Sequence, residues 1–514
     1  MNRQSTQERT GGSSANMEDS SLFEPNSNCC DVAKAHRAAV LIDGAAYFAA
    51  LDAALECAQR FITIIGWDFD ASIQLRPQDG ATAPALGDRL RSLVEENPDL
   101  EVRILIWSLA PLHTPSAAMP LLAGGNWAEH ERIHLHLDTF HPIYASHHQK
   151  LVIIDNAVAF VGGMDLTVKR WDTPDHAPDE PLRRNENGSP YEPVHDVQMA
   201  LAGPVVQRLC VVAQERWYNA LTEQLPDQSV PDPWPAPLAA DFQNVSVAVS
   251  RTLPRFGRHK GVSEAARLTD SLLQAAKKTI YIEAQYFTGR RMGRTLERLL
   301  AQPEGPEVIV VCTYVANGIL ERFIMGANRE RLLRRLKASD QYNRLHVYYP
   351  VIDNDAQHRL LIHSKVMIID DRFLRIGSAN LNNRSVGLDT ECDVTVISQT
   401  QHDSATIHRL RNKLLAEHLG VAQEELHHRE LQDADLCTAI DGLRREGKSL
   451  RPVAVHSGPQ RAFPGTFLLD PERPLPFLKA LHRLLSSVRG LRRRENVSSD
   501  KPNVSRPRKR GARK

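Results

Sequence analysis

The chain lacks most of the features that would set it apart from an ordinary soluble protein. No run approaches the ~18 consecutive apolar residues of a membrane span. The N-terminal stretch MNRQSTQERTGGSSANMEDSS has no apolar segment behind its charges, which argues against a secretory signal. Cysteine is scarce: Cys29, Cys30, Cys57, Cys210, Cys312, Cys392 and Cys437 are odd in number, scattered and without a C-x-x-C pair, so neither a disulfide framework nor a zinc site is indicated. Net charge is almost absent. With 63 basic and 62 acidic residues the formal charge is +1, and the protein as a whole is no electrostatic trap for polyanions. The balance is uneven, however: from Arg489 onward eleven basic residues face only Glu495 and Asp500, and eleven minus two leaves a tail of +9. These absences point to a cytoplasmic protein. The tail gives it a means of resting on an anionic membrane at the inner face, each cation contributing about 1 kcal/mol there; nucleic acid is the alternative partner for the tail.

At 514 residues the chain exceeds what one hydrophobic core normally supports, so two domains or two halves of a duplicated one are expected. Residues 1–36, rich in Ser, Asn, Gln and Glu, read as a disordered tail. Helical and strand-length apolar patterns then alternate: YFAALDAALECAQR, FITIIGWDFD, ALGDRLRSLVEEN, EVRILIWS, RIHLHLDTF, and KLVIIDNAVAFVGG as a strand pair joined near Asp155 and Asn156. The second half replays the order with SEAARLTDSLLQAAKK, TIYIEAQYF, RTLERLLAQ, EVIVVCTY, ILERFIMGANRERLLRRLKAS, RLHVYYPV and KVMIIDDRFLRIGS. The expectation is an α/β protein, a duplicated sandwich of mixed sheet flanked by helices. Its halves are residues 37–235 and 236–420, divided near the proline-rich PDQSVPDPWPAPL, and residues 421–514 form an extension with one amphipathic stretch, PLPFLKALHRLLSSV, before the basic tail.

Two segments, HHQKLVIIDNAVAFVGGMD and IHSKVMIIDDRFLRIGSAN, align without a gap, each carrying H-x-K, four apolar residues and an aspartate. His148 matches His363, Lys150 matches Lys365, Asp155 matches Asp370, Gly163 matches Ser378 and Asp165 matches Asn380. In an extended strand residues i and i+2 face one side, so each imidazole shares a pocket with an ammonium. The apolar residues anchor the strand, and each aspartate falls at a turn, where its side chain can accept backbone hydrogen bonds; its role reads as mainly structural. A phosphodiester in such a pocket meets two lysines for its anionic oxygens and two imidazoles, one for attack and one for the leaving oxygen, with no metal or cofactor required. His147 and His141 read as structural histidines, and GWDFD as a core and strand-end feature.

These residues resemble the phospholipase D superfamily, whose H-x-K-x4-D motif occurs here twice, each time followed by a Gly-Gly or Gly-Ser element. GWDFD at Gly66–Asp70, His195 and Asp196 in VHDVQM, and YIEAQYF at Tyr281–Phe287 are similar to further family segments, with Ala284 where the family usually has Asn. The resemblance covers roughly residues 37–420. It implies two pseudo-twofold halves meeting at one cleft and a phosphohistidine intermediate released by water or an alcohol, with attack by His148 and leaving-group protonation by His363. It also implies a catalytic set of His148, Lys150, Asp155, His363, Lys365 and Asp370. Gly163, Asp165, Ser378, Asn380 and Asn382 then lie near the phosphate, and Asp196 and Glu391 are the acids that orient the histidines.

On this reading the substrate is a phospholipid and the reaction head-group hydrolysis, with transfer to an alcohol as a competing outcome. A cardiolipin-synthase-like transferase comes second and a nuclease third, since short family nucleases hold one motif and dimerise. A monomer is expected because both motifs lie on one chain. An inactive binding module is disfavoured by the retention of both His and Lys pairs.

Overall fold

The computed structural model of the chain describes residues 21–108, 126–185, 187–228, 233–314, 319–354, 360–433, 435–458 and 470–474. The amphipathic stretch and basic tail expected near the C-terminus lie outside these, apart from Pro474. The first half holds strands β1 (Asp31–Ile42), β2 (Phe61–Gly66), β3 (Glu101–Trp107), β4 (Ile133–Asp138), β5 (Leu151–Ile154), β6 (Val158–Gly162), β7 (Val194–His195) and β8 (Val197–Ala202). Its helices are α1 (Asp43–Glu56), α2 (Leu86–Glu96) and α3 (Pro204–Leu221). The second half holds β9 (Phe242–Leu253), β10 (Val262–Ser263), β11 (Thr279–Ala284), β12 (Glu307–Cys312), β13 (Leu345–Val351), β14 (Leu361–Ile362), β15 (Lys365–Ile369), β16 (Phe373–Gly377), β17 (Glu391–Ile397) and β18 (Ser449–Pro452). With them come α4 (Glu264–Ala275), α5 (Arg290–Leu300), α6 (Ile319–Ser339), α7 (Arg384–Gly387), α8 (Gln401–Leu419), α9 (Gln423–Gln432) and α10 (Leu436–Leu443).

The duplication is written into the strand order. Outward from the antiparallel pair β1–β9, one side runs β8, β6, β5, β2, β3, β4 and the other β17, β16, β15, β11, β12, β13. Each position on one side has its counterpart on the other. The outer strands β2–β3–β4 and β11–β12–β13 pair in parallel and the inner ones antiparallel, so the sheet is mixed. The two expected half-sheets thus fuse into one continuous sheet, because β1 and β9 pair over much of their length and leave no edge between the halves.

Helices cover both faces. One face carries a core shared by the halves, in which Val40, Ile153, Val161 and Trp217 join Val247, Ile368, Val394 and Leu414 beneath α3 and α8. The opposite face is covered by α1 and α2 on the first half and by α4, α5 and α6 on the second. Central strands such as β5, β6, β15 and β16 are buried along their whole length, which explains why they read as continuous apolar runs rather than alternating ones.

Two boundaries differ from expectation. Strand β1 begins at Asp31, inside the segment read as a disordered tail, because residues 31–35 pair with Val245–Val249 of β9; that partner lies some two hundred residues away and leaves no local trace. The extension after residue 420 is tied to the second half. Strand β18 extends the sheet beside β13, and Asp470 accepts hydrogen bonds from the Asn383 backbone (3.0 Å) and side chain (2.6 Å).

Candidate active site

Each H-x-K motif enters its strand from a short irregular segment, so the histidine stands just ahead of the pleated run while the apolar residues behind it are locked in the sheet. The histidines are held by acids from the opposite half. His148 Nδ1 lies 2.9 Å from Glu391 Oε2, and His363 Nδ1 lies 2.6 Å from Asp196 Oδ2. Backbone bonds cross in the same way. The His148 N–H donates to the Thr390 carbonyl at 3.0 Å, and the His363 N–H to the His195 carbonyl at 2.8 Å, where β7 and β14 pair in parallel. With Nδ1 committed in each ring, Nε2 is the free nitrogen. The His148 side chain is 16% exposed and that of His363 8%, enough for an edge of each ring to meet solvent.

The lysines sit deeper. Lys150 Nζ contacts Asp165 Oδ2 at 2.9 Å and the His148 carbonyl at 3.1 Å; Lys365 Nζ reaches the Gln285 amide oxygen at 3.4 Å and the His363 carbonyl. Asp165 is itself fixed by the Trp67 N–H at 2.8 Å, so the GWDFD segment acts through its backbone. Burial and the nearby Lys150 draw the Lys365 ammonium down to about 8, although Asp196 opposes the shift.

Both catalytic-type imidazoles are pushed well below the ordinary histidine value. Burial is the leading cause, followed by Lys150 and Lys365 at His148 and by Lys365 at His363. The crossed contacts of His148 with Glu391 and of His363 with Asp196 bring the two motifs to one site. Their acids differ. At Asp196 the cost of burial is outweighed by His363 and Lys365, so the carboxyl stays below its usual range. Glu391 is pushed well above its range by burial, with Asp389 and Asp393 adding to the shift against bonds from Ser378 and Ser385.

Other residues singled out in the sequence divide into near and far. Ser378 donates to Glu391 Oε2 at 2.6 Å and accepts from the Cys392 N–H at 3.0 Å, so it steadies the acid rather than facing the cleft. Gly163 makes room for Asp196: a Cβ there would lie 2.1 Å from Asp196 Oδ1. Asn380 is buried, its Oδ1 without a hydrogen-bond partner among the described residues, whereas Asn382 uses its Oδ1 to accept from the Ser385 N–H at 2.9 Å, a local turn bond. Asp155 and Asp370 stand apart from the cleft, at the far ends of β5 and β15. Asp155 accepts from the N–H groups of Gln59, Arg60 and Phe61 at 2.7–2.9 Å, and Asp370 from those of Lys277, Lys278 and Thr279 at 2.7–2.8 Å. Both carboxylates serve backbone N–H groups there. His147 is buried with its Nε2 3.0 Å from Asp138 Oδ2, and His141 lies 3.0 Å from Ser108 Oγ.

Several neighbours left no recognisable signal in the sequence. Ser385 donates to Glu391 Oε1 at 2.6 Å, and Thr390 Oγ1 accepts from the His148 N–H at 3.2 Å. Arg170 lies close enough to contribute to the lowering of both His363 and Lys365, and it lines a cavity of about 390 Å³ with Thr167, Lys169, Trp171, Leu182 and Tyr191. The volume is that of a small-molecule site.

Comparison with known proteins bears on both halves. The family model described as phospholipase D matches residues 128–233, and that described as cardiolipin synthase, phospholipase-D-like domain, matches residues 270–413, one motif within each. Phospholipase D alpha 1 of Ricinus communis is 25% identical over 414 residues, which cover 56% of this chain and 50% of that protein. Phospholipase D1 of Schizosaccharomyces pombe is 24% identical over 514 residues, covering 76% and 35%. The chain therefore spans about half or less of the length of these curated relatives. In fold, the crystal structure of phosphatidylserine synthase from Haemophilus influenzae Rd KW20 superposes with a TM-score of 0.52 at 14% identity, over 78% of this chain and 90% of that one.

Proposed function

From the membership of this chain in the phospholipase D superfamily we propose that it is a phosphodiesterase acting on phospholipid head groups, releasing a phosphatidyl group to water or to an alcohol through a phosphohistidine. The observation that carries the reading is the crossed pairing of His148 with Glu391 and His363 with Asp196, which gives one buried site two imidazoles with free Nε2 atoms and two ammonium groups.

The chemistry follows from the protonation states. A neutral His148, its tautomer set at Nδ1, attacks phosphorus through Nε2. The P–N bond forms as the bond to the head-group oxygen breaks, and His363 Nε2 delivers its proton to that oxygen. His363 then accepts a proton from the incoming water or alcohol, whose oxygen displaces the imidazole and restores both rings. The lysines neutralise the non-bridging oxygens in a site where low polarity strengthens each charge. His363 is the better acid because the ionised Asp196 stabilises an imidazolium, whereas Glu391, pushed toward its neutral form, suits an uncharged nucleophile. The single negative charge of a bound phosphodiester adds to that of Asp196 and favours a proton on His363.

Release of choline, ethanolamine or glycerol from mixed vesicles, with and without a primary alcohol, tests the reading. Head-group release lost in His148→Ala and His363→Ala, with phosphatidyl-alcohol made by the wild type, is the expected result. Cleavage of DNA or RNA without lipid turnover would overturn it. The match of the second half to a cardiolipin-synthase domain favours one further reading, a phosphatidyltransferase, whose mark is cardiolipin formed from phosphatidylglycerol in preference to phosphatidic acid. Vesicles containing anionic lipid also report whether the +9 tail holds the enzyme at a membrane.

A further inference from the structure

Directly behind the catalytic dyads lies a second constellation that the phosphodiesterase chemistry does not use. Asp43 opens α1, His176 sits in the loop after Trp171, His195 ends β7, and Glu417 lies in the last turn of α8. Their side chains are 0–5% exposed. We propose that Asp43, His176, His195 and Glu417 form a buried site for a divalent transition ion of the zinc class, which ties α8 of the second half to β7, the strand directly ahead of the His363-orienting acid.

Geometry is the first support. His195 Nδ1 lies 2.8 Å from Glu417 Oε1 and 3.0 Å from Asp43 Oδ1, while His176 Nε2 lies 3.2 Å from Glu417 Oε1 and 3.7 Å from Asp43 Oδ2. Ligand atoms held tetrahedrally at zinc distances stand about 3.3–3.6 Å apart, and these four histidine–carboxylate separations bracket that range.

The second support is the outer shell. Each imidazole presents one nitrogen to the cluster and the other to a separate carboxylate: His176 Nδ1 to Asp172 Oδ2 at 3.0 Å, and His195 Nε2 to Glu283 Oε2 at 3.0 Å. A metal-bound histidine is typically fixed in this way, its far N–H donated to a carboxylate.

The third support is what remains unsatisfied. Among the described residues, neither oxygen of the fully buried Asp43 carboxylate nor His195 Nδ1 has a partner in full hydrogen-bond geometry, although His195 Nδ1 stands 3.0 Å from Asp43 Oδ1. Two carboxylates and two imidazoles thus converge in a dry interior, a ligand set that suits a divalent ion. Asp43 also holds a left-handed backbone, φ +66°, unusual for a residue with a side chain.

Four protein ligands leave no open coordination position, so the ion is structural. Its effect on the reaction is positional. The Asp43 N–H donates to the Asp196 carbonyl at 2.8 Å, and the His195 carbonyl accepts from the His363 N–H at 2.8 Å, so two of the ligands are one peptide removed from the acid and the imidazole of one dyad.

The test uses the full chain. After loading with Zn2+ and dialysis, elemental analysis is expected to find stoichiometric metal, a chelator to lower the melting temperature and added Zn2+ to restore it. The Co2+-loaded wild type is expected to show the intense visible bands of a tetrahedral site, a readout that needs no variant. His176→Gln and Glu417→Gln lose the metal and the Zn2+-dependent shift, while His408→Ala, in the separate His408–His427–Glu430 group, keeps both. Substoichiometric metal with no tetrahedral Co2+ spectrum would overturn the proposal and leave a proton-balanced ion-pair network. Binding that survives His176→Gln and Glu417→Gln but disappears in His408→Ala would equally overturn it.

Discussion

Replacing Asp196 by Asn separates the roles of the two histidines. The side chain is isosteric, so the oxygen that accepts from the Val197 N–H at 2.8 Å keeps its bond, and the contact with Gly163 is unchanged in size. What is lost is the charge 2.6 Å from His363 Nδ1. The amide NH2 then donates toward Nδ1, moving the ring proton to Nε2 and removing the anion that supports an imidazolium. Breaking a buried charged pair costs about 3–5 kcal/mol, which corresponds to a fall of about 10²- to 10⁴-fold in kcat/KM on an alkyl head group. An aryl phosphodiester, whose leaving group departs without a proton, should escape the first-step loss. The variant is then expected to give a rapid burst of aryl alcohol stoichiometric with enzyme, followed by slow turnover as the phosphohistidine waits for a base. Glu391→Gln, which disturbs the nucleophile, should lose activity on both esters with no burst. Stopped-flow release of the chromophore distinguishes the cases. Equal losses on both esters in Asp196→Asn, or a burst in Glu391→Gln instead, would refute the assignment of acid and nucleophile.

Lys365, drawn down to about 8, should deprotonate on the alkaline side, so kcat/KM is expected to fall as pH rises through that value; Lys365→Arg, whose guanidinium stays charged, should remove that limb even if its absolute rate is lower. Asp155→Ala and Asp370→Ala each strand three backbone N–H groups, and urea titration should show a loss of about 2–5 kcal/mol in stability with kcat preserved in the folded fraction; a selective loss of kcat would place these aspartates in the chemistry. Gly163→Ala forces a methyl to within 2.1 Å of Asp196 Oδ1, so it should mimic the Asp196→Asn phenotype, including the burst, while a wild-type rate would show that the strand yields easily.

What could be read from the sequence was what depends on neighbours along the chain. The i, i+2 placement of His148 with Lys150 and of His363 with Lys365 is a property of extended backbone, and the turn role of Asp155 and Asp370 follows from their place after an apolar strand; both residues are left-handed, with φ of 54° and 53°. The duplication was legible because each half repeats a pattern of local periodicities that the strand order then reproduces. Resemblance to a family supplied Asp196 and Glu391 as orienting acids, but their exchange between the halves is a matter of three-dimensional arrangement. The separation of Glu391 from His148 by more than two hundred residues is closed only because β1 pairs with β9 and the two sides of the sheet meet about that seam. The same long-range pairing made a strand of residues 31–36, whose composition reads as disordered, and tertiary context turned Asn382 to a local backbone bond while leaving Asn380 Oδ1 without one. Asp43, His176, His195 and Glu417 come from four separate segments with no shared spacing, so nothing local could collect them; it took the packing of α8 against the first half to do so. Local backbone geometry, which a short stretch of sequence specifies, placed each histidine beside its lysine; burial and the meeting of distant strands, which no short stretch specifies, decided their partners and their protonation.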